Sequence, residues 1–122
     1  MNNNNNIQYK TVELTLDKLN STAEERIDLP DGVVTHIGLV KEGNATDIVN
    51  MEVLQNNSRL LHPMDIRFSE RTTTGNFLDG LRPVSGINGG QVLQVRLSAL
   101  KPTRTDDLTV QVLFAIQQPE RY

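Results

Sequence analysis

The chain has 122 residues, a formal net charge of -3 and no cysteine, which suits one domain with a two-layer core. Disulfide scaffolds, thiolate catalysis and Cys-based metal sites are excluded. Arg59, Arg67, Arg71, Arg82, Arg96 and Arg104 are scattered among acidic residues, so no phosphate-neutralising patch and no nucleic-acid partner is expected.

Residues 1–8 form an Asn-rich arm with nothing to bury, expected to be mobile in isolation. Met1 to Asn6 has neither the basic start nor the apolar stretch of a signal peptide. No apolar run approaches the roughly 20 residues that span a bilayer, so no membrane partner is expected. The N-x-Ser/Thr matches at Asn20, Asn44 and Asn56 read as chance in an Asn-rich chain.

From Tyr9 to Leu16, Val12, Leu14 and Leu16 alternate with Thr11, Glu13 and Thr15, the period of two of a half-wet strand. Asp17 to Glu25 breaks this pattern and has room for a short helical turn. Arg26 to Leu29 reads as a brief strand with Ile27 and Leu29 inward. Pro30-Asp31-Gly32 then makes a tight turn. Val33 to Lys41 is the next strand, with Val33, Ile37 and Leu39 on one face. After Glu42-Gly43-Asn44, Thr46 to Leu54 places Val49, Met51 and Val53 opposite Asn50 and Glu52. The Gly-containing turn between these two strands predicts a hairpin.

Gln55 to Ser58 is a polar turn, and Arg59 to Leu61 a short strand expected to stop at Pro63. Met64, Ile66 and Phe68 alternate inward. Glu70 to Gly90 is the least regular stretch, with five glycines and Pro83. Loops this long are uncommon in compact domains and are often functional. Gln91 to Leu100 directs Leu93, Val95 and Leu97 inward. Leu108 to Ile116 does the same with Val110, Val112, Phe114 and Ile116. Leu113 and Ala115 on the other face predict a covering loop or subunit.

Seven to eight strands without a long amphipathic helix predict an all-β fold, a two-sheet antiparallel β-sandwich spanning residues 9–122. A jelly roll is the expected topology and an immunoglobulin-like one the alternative. No catalytic residue, metal site or cofactor is expected. His36 and His62 lie far apart without a His-x-His pair. Asp106-Asp107 and Asp79 near Asn76 lack the oxygen-ligand series that calcium requires. Gly86-Ile87-Asn88-Gly89-Gly90 has no Lys-Ser/Thr, so it is turn chemistry rather than a phosphate loop. Aromatic residues make up 4% of the chain and Trp is absent, which weakens a sugar-stacking surface.

A cysteine-free sandwich with a polar arm at residues 1–8, a Gly-rich loop at 70–90 and two strong closing strands resembles the single jelly-roll structural proteins of virus and bacteriophage particles. The resemblance implies a non-catalytic capsid, vertex or decoration component in the virion, otherwise a cytoplasmic protein. It further implies a homo-oligomer, trimer or pentamer, that meets another structural protein of the same particle. The segments expected to carry contacts are Asn2 to Gln8 and the loop, with Arg71, Thr72, Thr73, Phe77, Leu78, Leu81 and Ile87 as interface candidates. The alternative function is a carbohydrate- or ligand-binding β-sandwich module.

Overall fold

A computed structural model describes residues 7–17, 20–43, 48–56, 58–66, 70, 80–100 and 107–118. It is all-β. The strands are β1 (Ile7–Leu16), β2 (Thr22–Asp28), β3 (Val33–Gly43), β4 (Val49–Gln55), β5 (Ser58–Asp65), β6 (Arg82–Pro83), β7 (Val92–Ala99) and β8 (Leu108–Gln117). They form two antiparallel four-stranded sheets, in the orders β1-β8-β3-β6 and β2-β7-β4-β5. Among the described residues no helix is long and apolar enough to cross a membrane.

The pairings follow one rule. β1 pairs with β8, β2 with β7, β3 with β6 and β4 with β5. The chain is thus a long antiparallel ribbon with the β4–β5 turn at its tip, wound so that alternate pairs enter alternate sheets. The contacts β8–β3 and β7–β4 then join the pairs within each sheet.

Alternation along the strands builds the core. Leu14 and Leu16 of β1, Ile37 and Leu39 of β3, and Val110, Val112, Phe114 and Ile116 of β8 face the second sheet. From that sheet come Ile27, Val49, Met51, Val53, Leu93, Val95 and Leu97. All are buried, and aliphatic side chains dominate. Burying such a side chain contributes about 1.5–3 kcal/mol, so the two apolar faces hold the sheets together.

Several local expectations are corrected. The Asn20 amide donates to the Asp17 carboxylate at 2.9 Å, and the second strand starts at Thr22 instead of Arg26. The polar run Thr22–Glu25 is a strand because its backbone pairs with β7, although its side chains are mostly exposed. Val33 is 48% exposed and Val34 fully buried. A register irregularity between Val34 and His36 lets one residue slip and reverses the facing upstream of it.

The expected hairpin between β3 and β4 is absent, because the two strands lie in different sheets. Gly43, with φ of +107°, ends β3 at that crossing. β5 continues through Pro63 to Asp65. It is an edge strand, where a missing N–H is tolerated on the open side, and its register to β4 is already irregular. The Pro30-Asp31-Gly32 turn is present, with Gly32 at φ +140°.

Candidate functional site

The irregular stretch before β7 is the sequence-derived contact loop. Arg71, Thr72, Thr73, Phe77 and Leu78 lie outside the described residues. Leu81 and Ile87 are described, and each is buried against the chain itself, with 6% and 1% exposure. Ile87 joins the main core. Leu81 lies on the opposite, outer face of the first sheet, against Gly38. Gly38 is the register partner of Leu113, so the loop supplies cover on the face where Leu113 and Ala115 called for it. Only a residue without Cβ lets Leu81 approach the strand this closely.

The same segment closes one edge of the first sheet. Glu70 bridges to Leu39 in parallel, and its carboxylate pairs with Lys41 at 3.5 Å. Further along, the Val84 amide donates to the Thr35 carbonyl at 2.9 Å and the Val34 amide to the Ile87 carbonyl at 2.9 Å. Val33 bridges Asn88. One flank of β3 is therefore stitched to the Gly-rich segment.

The opposite edge is β1. Its ten residues pair with β8 without a register shift. No strand among the described residues pairs with its other side. Such an edge presents a row of backbone N–H and C=O groups to any extended partner. The remaining edges are blunted. β6 has two residues, one of them Pro83. β5 carries Pro63 and the irregular register. β2 is charged at Glu24, Glu25, Arg26 and Asp28. β1 contains no proline, and its only ionisable side chains besides Tyr9 are Lys10 and Glu13. It follows directly on the Asn-rich arm.

The outer face of the second sheet carries a charge ladder. Arg96 of β7 stands between Glu24 of β2 and Glu52 of β4 in the strand register. It donates through Nε to Glu24 at 2.9 Å and through one Nη to Glu52 at 2.8 Å. Arg59 approaches the second oxygen of Glu52 at 3.2 Å. The hydrogen bond to Glu24 is the chief cause that raises the Arg96 pKa above the usual arginine value, with burial opposing it and the charges of Glu24 and Glu52 adding to it. Glu52 is buried, at 6% exposure, and two guanidinium groups compensate it.

Beside this ladder is an open depression of about 220 Å³, lined by Arg26, Asn56, Val92 and Gln94. Sequence reading did not single out these four residues. They come from β2, the β4–β5 turn and β7, and only the strand order brings them together.

His36 places Nδ1 at 2.9 Å from the Thr35 hydroxyl, and His62 is exposed. Among the described residues no three His, Asp or Glu side chains are grouped to hold a metal ion. Compared with known proteins, the chain matches no family model, and no curated protein matches it in sequence.

Proposed function

We propose that the chain is a non-catalytic structural protein that assembles with copies of itself, as a capsid, vertex or decoration component of a virus or bacteriophage particle. The observation that carries this reading is the edge of β1, ten residues long, unpaired by any strand among the described residues and continuous in sequence with the Asn-rich residues 1–6, Ile7 and Gln8 belonging to the strand and not to the arm. An extended segment from a neighbouring copy can add to such an edge by main-chain hydrogen bonding. In a trimer or pentamer the contact is heterologous, so the β1 edge of one copy meets a different surface of the next and the rotation closes the ring.

The strand order supports reading the sandwich as a jelly roll. Eight strands paired as a single ribbon and wound into two sheets are the arrangement that fold requires. Fold alone does not fix function, so the weight rests on the edge.

The test is absolute mass by size-exclusion chromatography with light scattering across a wide concentration range. A discrete trimer or pentamer is expected. Phe77→Asp is expected to lower the association state while circular dichroism stays unchanged. A parent protein that remains a monomer at every concentration, alone and mixed with a lysate of its own source, would overturn the reading.

A further inference from the structure

We propose that the thioether of Met64 is a reversible oxidation site, on which hydrogen peroxide forms a single sulfoxide epimer because Arg82 covers one side of the sulfur. This inference does not depend on assembly. It concerns β5 and β6, which end the two sheets on the side opposite β1 and β2.

The strand register brings the two side chains together. Met64 of β5 is the partner of Met51, and Arg82 of β6 is the partner of Ile37. Residues directly opposite each other on a ladder share a face. Met51 and Ile37 are core residues, at 2% and 0% exposure. Met64 and Arg82 therefore both point between the sheets, at the margin where the core ends. There one Arg82 Nη donates to the Met64 Sδ at 3.3 Å. Both side chains are half-buried.

Access and the hydrogen bond together set the reactivity. Met51 is enclosed by the core, whereas Met64 stands one strand further out and is partly open to solvent. A small neutral oxidant reaches the second and not the first. A thioether sulfur has two lone pairs, and oxygen placed on one or the other gives one or the other epimer. The guanidinium is a donor only, so it occupies the lone pair at which it points. The oxidant is left with the other.

In the reaction that free lone pair attacks one oxygen of hydrogen peroxide. The S–O bond forms as the O–O bond breaks, and the departing hydroxide takes the proton left on the transferred oxygen to become water. The sulfur loses two electrons and the peroxide gains them. The product keeps its configuration, and methionine sulfoxide reductases, one for each epimer, return it to the thioether.

The experiment is brief treatment of the folded full chain with hydrogen peroxide, then proteolysis and mass spectrometry of the Met51 and Met64 peptides. The oxidised Met64 peptide is divided and treated with the S-specific or the R-specific methionine sulfoxide reductase. Met64 should gain one oxygen well before Met51 does. One reductase should then restore nearly all of the Met64 peptide and the other almost none. The same chain oxidised in concentrated guanidinium chloride should give the two epimers in about equal amounts, since nothing then covers the sulfur. Arg82→Leu, shown to be folded by circular dichroism, should shift the product from one epimer to both. The proposal is overturned if Met51 is oxidised as fast as Met64, if the sulfoxide from the folded parent divides between the reductases as that from the unfolded chain does, or if folded Arg82→Leu still yields one epimer. The parent comparison can overturn it even where the variant does not fold.

Discussion

Glu52 is the residue whose environment is most demanding. A carboxylate at 6% exposure would carry a large desolvation penalty alone, and Arg96 and Arg59 together compensate it. Arg96→Met leaves Arg59, which is itself half exposed, as the only cation paired with Glu52 among the described residues. A loss of about 1–3 kcal/mol is expected in urea unfolding. Glu24→Gln removes only an exposed partner of the same arginine and should cost less than about 1 kcal/mol. Replacing Glu52 by Leu together with Arg96→Met should recover most of the loss, since the buried charge goes with its partner. Gly38 poses a different residue-scale constraint, one of space. A Cβ there collides with the end of the Leu81 side chain, so Gly38→Ala is expected to cost about 1–3 kcal/mol. Combining it with Leu81→Ala should give a total smaller than the two single losses added together. Additive losses would show that Leu81 is not the neighbour that matters.

Among the elements, position in the sheet outranks composition. β2 reads as polar and irregular, yet it is a strand because β7 offers it a ladder. β5 contains a proline and is a strand because it lies at an edge. β7 and β8 each have a neighbour on both sides, and their inward side chains are fully buried. Native-state hydrogen exchange should therefore be slowest in β7 and β8 and markedly faster in β1, β2 and β5. Protection of β1 equal to that of β8, in protein shown to be monomeric, would contradict the open edge. If protection of β1 rises with protein concentration, the edge is engaged on assembly.

For the whole molecule, the pairing of Ile7 with Gln117 sets the start of β1 beside the end of β8 at one margin of the first sheet. Deleting residues 1–6 keeps every core side chain among the described residues, so on the proposed assembly light scattering should show a lower association state with no change in circular dichroism. An unchanged mass would confine the contact to other surfaces. The sequence by itself determined the all-β class and which side chains enter the core, because side-chain facing has a period of two and is written locally in alternation. Ile27, Leu93, Val95, Leu97, Val112 and Phe114 were all legible in this way, and each is buried. What only the tertiary structure decided was partnership: β3 joined to β8 rather than β4, Arg96 set between Glu24 and Glu52, and Arg26 beside Gln94. Val33 and Val34 belong there too, since a one-residue slip exchanges faces and depends on the strand across from it. The physical reason is that a strand's alternation states which face is apolar and is silent about which backbone completes its ladder. That choice is made by long-range pairing, and the charge ladder and the depression beside it exist only once the pairing is made.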